Sequence, residues 1–318
     1  MIKRRVHVAA AAVIRGDGRV LIARRPATVD QGGLWEFPGG KLAPYETGLE
    51  ALKRELSEEL GIQIVRAQPL IRVNHEYADK HILLDVWQVR EYDGDPYGRE
   101  GQPVRWVEVD DLPNYPFPAA NLPILRAVAL PQEYLITAEA ADDDAFLARL
   151  ERALKEDSIR LVQLRAKGLD DAAYQARAEK TLALCREHGA KLLLNADPEW
   201  LQRVDADGIH LTSARLMELK HRPIPSDKWL GASTHGDEQL AQAGLIDCDF
   251  VTLSPLAPTP SHPDATTIGW HDFQQMVETA AMPVFALGGM TRHHANQARA
   301  VGAQGIASIR DFWRNDSD

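Results

Sequence analysis

Five glutamates occur within residues 39–62, GGKLAPYETGLEALKRELSEELGI, and three of them have the spacing of metal ligands. Glu55, Glu58 and Glu59 stand at i, i+3 and i+4, so a helix would carry them on one face. Like charges at this spacing repel, and a cation must offset them. Mg²⁺ and Mn²⁺ prefer oxygen ligands, and Mg²⁺ commonly bridges to substrate phosphates. The segment therefore indicates a divalent-metal site or, alternatively, a solvated acidic face paired with the neighbouring lysine and arginine.

The helix that must position these carboxylates is predicted over roughly 48–60. Thr47 and Glu50 form a capping box, in which each side chain satisfies a backbone N–H of the first turn. Gly61 ends the helix, because glycine readily adopts the left-handed conformation that follows a last turn. Apolar residues at helical spacing predict the stripe that faces the core: Leu49, Leu52, Leu56 and Leu60.

The motif extends beyond the three glutamates. Gly40, Glu46 and the run RELSEELGI over 54–62 stand at the intervals of the Nudix box, which the segment matches in full. The chain therefore resembles the Nudix hydrolases. The resemblance implies an α+β fold and cleavage by water of a nucleoside diphosphate linked to another moiety. It also implies Mg²⁺ as cofactor, with Mn²⁺ as the alternative ion.

The same resemblance implies roles for individual residues of the motif. Arg54 would orient carboxylates through a forked hydrogen bond, Glu55 is the candidate base, and Glu46 would support it. The implied metal ligands are the Gly39 carbonyl, Glu55, Glu58 and Glu59.

Four further stretches resemble the MutT type of Nudix hydrolase, which acts on 8-oxo-dGTP: LIARR, LWEFPGGK, YGREGQPVRW and FPAANLP. The resemblance implies that Glu100 is a further metal ligand, with an ordinary loop glutamate as the alternative. It also implies a role in substrate binding for Arg25, Phe37, Lys41 and Asn121. Phe37 could equally belong to the core, and Arg25 and Lys41 could be solvated surface residues.

Asn121 offers a chemical reason for selecting an oxidised base. Ordinary guanine presents two acceptors on its N7–O6 edge, and oxidation at C8 turns N7 into an N–H donor. An asparagine amide has one acceptor and one donor group, so it can pair with N7–H and O6 together. Unoxidised guanine would face the amide oxygen with a lone pair, which costs a few kcal/mol when buried. A helix N-cap before LPILRAVAL is the alternative role.

The chain is expected to be an α/β protein of two domains, 1–130 and 131–318, divided near Pro131. In the first, strand-like runs surround one helix, which indicates a mixed sheet sandwiched by helices. In the second, eight apolar runs alternate with helix-like segments, which predicts a parallel (β/α)₈ (TIM) barrel. The predicted barrel strands are EYLITA, IRLVQLR, KLLLNA, GIHLT, KWLGAST, DFVTLS, MPVFALG and GIASI.

The second domain resembles thiamine phosphate synthase and its thiazole tautomerase relatives over 133–310. The resemblance rests on pieces such as VQLRAK, ADGIHL, SPLAPTPSH and PVFALGGM, in this order. Barrels of this kind usually bind phosphate at the loops after strands seven and eight. The expected residues for a phosphorylated ligand are Gln163, Arg165, Lys167, Gly288, Gly289 and Ser308, with Gly305 completing the site.

Several positions depart from the synthase pattern. The synthase has an aspartate where this chain has Ala196, after Asn195, and a second aspartate is replaced within HLTSAR. The expected loop lysine is His262. Because Mg²⁺ needs such oxygen ligands, the barrel is expected to have lost synthase activity while retaining a phosphorylated, thiamine-related ligand.

Composition excludes other classes of protein. The net charge of −10 lies mostly in the second domain, and neither domain has the basic surplus of a nucleic-acid binder. No apolar run is long enough to cross a membrane. Only two cysteines occur, without zinc spacing, which fits the cytoplasm.

The sequence leaves alternative functions open. The favoured one is an 8-oxo-dGTP diphosphatase that removes the damaged nucleotide from the precursors of DNA. The others are a Nudix enzyme for another nucleotide or a thiamine-pathway pyrophosphate, and a bifunctional enzyme with residual synthase activity. The barrel could also be a binding module that regulates the hydrolase, or could hold a homodimer together.

Overall fold

Two units make up the chain in this computed structural model, Met1–Ala129 and Leu130–Asp318. The structure describes residues 4–140, 142–258 and 266–313. The boundary expected from the sequence falls between residues 130 and 131. Among the described residues, none of the helices has the length and apolar character needed to cross a bilayer.

The N-terminal unit has two sheets, with strand orders β4-β1-β6-β5 and β3-β2-β7. Strands β1 and β6 run parallel, and the other pairs are antiparallel. The strands are β1 (Arg4–Val13), β2 (Val20–Arg24), β3 (Trp35–Glu36), β4 (Gly39–Lys41), β5 (Gln63–Glu76), β6 (Lys80–Asp93) and β7 (Val104–Val107), and the helices are α1 (Gly48–Leu60) and α2 (Leu122–Ala129). This arrangement confirms the expected mixed α+β fold.

Strand β1 lies between the two helices, and its side chains alternate between two cores. Ala9, Ala11 and Val13 share a buried cluster with the leucines of α1, whereas Ala10 and Ala12 share another with α2. Both faces are therefore covered, and the small alanine side chains let each helix approach the strand. The alanine run of the sequence is explained by this double packing.

Helix α1 confirms the predicted positioning element. Thr47 caps it and forms the capping box with Glu50, and Gly61 ends it at φ +72°. Leu49 is only partly buried, so the predicted stripe is correct except at its first position. The side chains that α1 buries are Ala51, Leu52, Leu56 and Leu60.

Strand β5 was missed by sequence reasoning. Its sequence QIVRAQPLIRVNHE contains Pro69 and no regular alternation of apolar and polar residues. Its pairing with β6 shifts register at three places. Bulges of this kind break the period-two pattern on which strand prediction depends.

The C-terminal unit is a closed barrel of eight parallel strands, and all eight were predicted. The strands are β8 (Glu133–Ile136), β9 (Leu161–Leu164), β10 (Lys191–Leu194), β11 (Gly208–Leu211), β12 (Trp229–Thr234), β13 (Phe250–Leu253), β14 (Val284–Ala286) and β15 (Gly305–Ser308). The helices between them are α3 (Asp143–Lys155), α4 (Asp171–Glu187), α5 (Ser213–Glu218), α6 (Asp237–Leu245), α7 (Gly269–Thr279) and α8 (Ala295–Ala300). A 3₁₀ helix, Pro198–Gln202, takes the place of an α-helix between β10 and β11.

Candidate active site

Arg54 lies at the centre of the acidic face of α1. Its Nε and Nη2 donate to the two carboxylate oxygens of Glu46, both at 2.9 Å. Its Nη1 donates to Glu55 at 2.8 Å and to Glu58 at 3.3 Å, and Nη2 also reaches the Lys41 carbonyl at 3.1 Å. The bonds to Glu46 and Glu55 raise the pKa of Arg54, and the bond from Arg54 lowers the pKa of Glu46. One guanidinium therefore offsets much of the repulsion between these carboxylates.

Glu59 lies deeper than the other carboxylates of this face. Its Oε2 accepts one hydrogen bond, from the Gly39 N–H at 3.3 Å. Burial, and then the negative charges of Glu55, Glu36 and Glu100, raise the pKa of Glu59 to about 8. Carboxylates from α1, β3 and the loop before β7 thus act together on Glu59, and sequence reasoning had assigned no role to Glu36.

Two glycines make room for this arrangement. Gly39 has φ +145°, and a Cβ there would lie 2.1 Å from the Ala9 carbonyl oxygen of the neighbouring strand. A Cβ on Gly40 would lie 2.2–2.4 Å from the carboxyl atoms of Glu55. The Glu55 carboxylate therefore occupies the space that a side chain at position 40 would fill.

Asn121 ends a 3₁₀ helix, Ala119–Asn121, directly before α2. Its Oδ1 lies 3.4 Å from the Phe37 N–H and accepts from it. The Phe37 ring is only 3% exposed and stacks on Phe117 at 5.6 Å between ring centroids. The ring of Phe37 therefore belongs to the core, while its backbone N–H points to the Asn121 amide.

Arg25 is held by its own loop. Its Nε and Nη2 donate to the Asp30 carbonyl at 3.1 and 2.9 Å, and its Nη1 pairs with Glu36. Burial raises the pKa of Glu36, and the charge of Arg25 opposes this rise.

A groove of about 360 Å³ is lined by Arg25 and Glu100 among others. The Lys41 side chain is exposed.

The inside of the barrel contains a chain of hydrogen bonds. Gln163, 3% exposed, donates from Nε2 to the Tyr134 hydroxyl at 3.1 Å. That hydroxyl lies 3.1 Å from His210 Nδ1, and His210 Nε2 lies 3.0 Å from Ser233 Oγ. Burial lowers the pKa of His210 to about 3, so its ring is neutral. The Gln163 side chain thus has a hydrogen-bond partner, the Tyr134 hydroxyl, inside the barrel.

Apart from Gly305, the other predicted barrel residues lie at or just after the carboxyl ends of the strands. Gly305 is the first residue of β15 and lies at the opposite end of the barrel. Gly288 and Gly289 have φ values of +100° and +70°, which glycine adopts without strain. Ser308 Oγ donates to the Met290 carbonyl at 2.9 Å and ties β15 to this glycine loop. The backbone of Arg165 and Lys167 is fixed by bonds to Thr137 and Glu139. His262 lies outside the described residues.

Comparison with known proteins agrees with this geometry. A family model described as "NUDIX domain" matches residues 9–127, and one described as "Thiamine monophosphate synthase" matches residues 133–312. Over 117 residues the chain is 40% identical to the CTP pyrophosphohydrolase of Escherichia coli, covering 37% of this chain and 87% of that protein.

Two further relatives point the same way. The chain is 34% identical to the 8-oxo-dGTP diphosphatase of Escherichia coli over 38% of its own length and 95% of that protein. It is 36% identical to a protein of Aquifex aeolicus provisionally named thiamine-phosphate synthase 2, over 58% of its own length and 98% of that protein. The chain is a Nudix domain fused to a thiamine-phosphate synthase domain. It spans about half (52%) of a cyanobacterial thiamine-phosphate synthase that it also matches.

The residues of the Nudix domain fit a divalent cation in their donor chemistry. Burial first, and then the neighbouring carboxylates, raise the pKa of Glu59, and oxygen donors are what Mg²⁺ and Mn²⁺ require. Within the part of the chain that the structure describes, however, no three histidine, cysteine or acidic side chains are arranged so that they could hold a metal ion together. Arg54 holds Glu55 and Glu58 instead, so the ligand assignment stays a prediction.

In the synthase domain, an ion pair occupies the region of the missing carboxylates. Arg215 Nε lies 2.6 Å from Asp197 Oδ1, and both residues are partly exposed. Asn195 donates from its side chain to the His210 carbonyl at 2.9 Å, and Ala196 follows it. A guanidinium therefore neutralises Asp197, which directly follows Ala196, the position of one expected aspartate.

Replacing Gly40 with alanine is expected to abolish most nucleotide hydrolysis while leaving the fold intact. The three atoms nearest to the new Cβ all belong to the flexible end of Glu55, at 2.2–2.4 Å, so we expect the carboxylate to move and the backbone to stay. The measurement is kcat beside the thermal midpoint. Gly16, whose Cβ would meet nothing within 4 Å, is the control position for alanine. Wild-type kcat in G40A would contradict the placement of Glu55.

Proposed function

We propose that the Nudix domain hydrolyses 8-oxo-dGTP to 8-oxo-dGMP and pyrophosphate in the presence of Mg²⁺, and so removes an oxidised nucleotide before it enters DNA. The observation that carries this proposal is the complete motif around α1, whose Glu55 carboxylate lies against Gly40 and is held by Arg54 at 2.8 Å. The named relative with 8-oxo-dGTP diphosphatase activity supports the choice of substrate.

Each residue of the site has a task in this reaction. Glu55, Glu58, Glu59, Glu100 and the Gly39 carbonyl would hold the ion, which neutralises polyphosphate charge and acidifies water. Glu55 is the candidate base for the attacking water. Arg54 keeps the Glu55 and Glu46 carboxylates in place through its fixed fork of donors.

Asn121 is proposed to read the oxidised base. Its Oδ1 already accepts from the Phe37 N–H at 3.4 Å, and its second lone pair remains for the N7–H of 8-oxoguanine. Its amide NH₂ would donate to O6. The core position of Phe37 gives this amide a rigid support.

The test is steady-state hydrolysis by the full-length protein with Mg²⁺, with 8-oxo-dGTP, dGTP and CTP as substrates and pyrophosphate as the measured product. We expect kcat/KM for 8-oxo-dGTP to exceed that for dGTP by roughly 10–100-fold, since only N7 differs on this edge and one unmatched buried polar pair costs about 1–3 kcal/mol. Equal values would remove the specificity claim.

A second candidate is a pyrophosphohydrolase for another nucleotide. It is motivated by the 40% identity to a CTP pyrophosphohydrolase, which exceeds the 34% identity to the 8-oxo-dGTP diphosphatase of Escherichia coli but not the 41% identity to that of Proteus vulgaris. The same panel separates the two candidates, because a CTP enzyme would prefer CTP over both guanine nucleotides. A thiamine-pathway pyrophosphate added to the panel tests the remaining alternative.

For the synthase domain we propose binding of a thiamine-related phosphate without synthase activity. The Gly288–Gly289 loop offers backbone N–H groups to a phosphate, and Arg165 and Lys167 follow β9 at the same end of the barrel. Calorimetric titration of the full-length protein with thiamine phosphate is expected to show saturable heat, and an assay for thiamine phosphate formation is expected to show none. Absence of heat would contradict the binding, and turnover would show a bifunctional enzyme.

A further inference from the structure

The side chain of Gln102 joins two segments of the Nudix domain that carry predicted metal ligands. Its Nε2 donates to the backbone carbonyl of Glu59, in the last turn of α1, at 3.0 Å. Its Oε1 accepts from the backbone N–H of Glu100, in the loop before β7, at 2.9 Å. One amide group therefore fixes the backbone of Glu59 relative to that of Glu100.

Neighbouring contacts restrict where this amide can go. The Arg99 N–H also donates to the Glu59 carbonyl, at 2.9 Å, and Arg99 Nη1 donates to the Ser57 carbonyl at 2.8 Å. A Cβ on Gly98 would lie 1.8 Å from the Gln102 carbonyl oxygen and 3.0 Å from its Oε1. The loop is thus packed closely against the end of α1, and among the residues that the structure describes Gln102 is the side chain of this loop that bonds to both ligand-bearing residues.

We propose that Gln102 is a positioning residue, which sets the distance between the Glu59 and Glu100 carboxylates and so prepares the cation site before the metal arrives. This inference rests on the proposed function of these two glutamates. Groups that orient metal ligands typically affect metal affinity by about 10–100-fold. If Gln102 only satisfied a free backbone carbonyl group of the last helical turn, replacing it would lower stability and leave metal affinity unchanged.

The experiment is the titration of metal-free full-length protein with Mn²⁺, with the free ion followed by electron paramagnetic resonance. Gln102→Met keeps the size of the side chain and removes both hydrogen bonds, while Gln102→Asn keeps the amide on a shorter side chain. Gln63→Met is the matched control, because Gln63 Nε2 donates to Ser57 Oγ at 2.8 Å near the same end of α1 and contacts no predicted ligand. Thermal midpoints are measured alongside, and binding is compared well below the lowest of them.

We expect the Mn²⁺ dissociation constant of both Gln102 variants to rise roughly 10-fold or more, and that of Gln63→Met to equal the wild-type value. With saturating metal, the KM for nucleotide should stay near wild type. Wild-type affinity in either folded Gln102 variant would overturn the inference and leave the proposed function standing. If the wild-type protein itself bound no Mn²⁺, both the inference and the proposed function would be overturned.

Discussion

Replacing Glu55 with glutamine is expected to lower kcat for nucleotide hydrolysis by roughly 10²–10⁴-fold, the usual contribution of a general base. The substitution keeps the shape of the side chain and removes its charge, so Arg54 retains an oxygen to bond at its present 2.8 Å. The fold should therefore survive. The measurement is kcat at saturating Mg²⁺ and nucleotide, together with the thermal midpoint.

Glu50→Gln is the matched control for this prediction. Glu50 belongs to the same helix, but its carboxylate bonds to Thr47 at the exposed N-terminus of α1, and glutamine serves equally well at this position of a capping box. Its kcat should equal that of wild type. Near-normal turnover by Glu55→Gln would assign the base to another residue.

Replacing Asn121 with alanine is expected to remove the preference for 8-oxo-dGTP over dGTP. Alanine can neither accept from N7–H nor donate to O6, and each unmatched buried group costs about 1–3 kcal/mol. The kcat/KM for 8-oxo-dGTP should therefore fall by roughly 10²-fold. That for dGTP should change less, because the loss of the bond to O6 is offset there by removal of the unfavourable contact between the amide oxygen and N7. The ratio of the two values is the quantity to measure.

The dGTP reaction is the internal control for Asn121→Ala. Asn121 also accepts weakly from the Phe37 N–H at 3.4 Å, so a general disturbance of this part of the domain would lower both rates together. A parallel fall for the two substrates would mean that Asn121 supports the core. Unchanged kcat/KM values for both substrates would mean that another group reads the base.

The sequence predicts the parts of this protein that depend on local patterns. Helix α1 begins and ends where Thr47 and Gly61 predict it, because caps and helical spacing are short-range signals. The eight barrel strands were found because parallel strands buried on both faces are continuous apolar runs. The irregular strand β5 was missed, since its bulges and Pro69 disturb the alternation.

The site was predictable only in part, for a physical reason. The types of residue were visible in the motif, but contacts between distant segments have no local pattern. The Gln102 bridge joins residues 43 positions apart, and an uncharged glutamine in a loop gives no signal of its own. The folded structure was likewise needed to see that the charge of Glu36 acts on Glu59. It was also needed to see that Arg54 pairs with both Glu55 and Glu58.

The central claim is that the carboxylates of α1 bind a divalent ion together with a nucleotide. The most direct measurement is an anomalous-difference map from crystals of the full-length protein grown with Mn²⁺ and a non-hydrolysable analogue of 8-oxo-dGTP. We predict a peak about 2.1 Å from oxygens of Glu55 and Glu59, with Arg54 released from Glu58. A nucleotide bound without any peak beside these two glutamates would contradict the account.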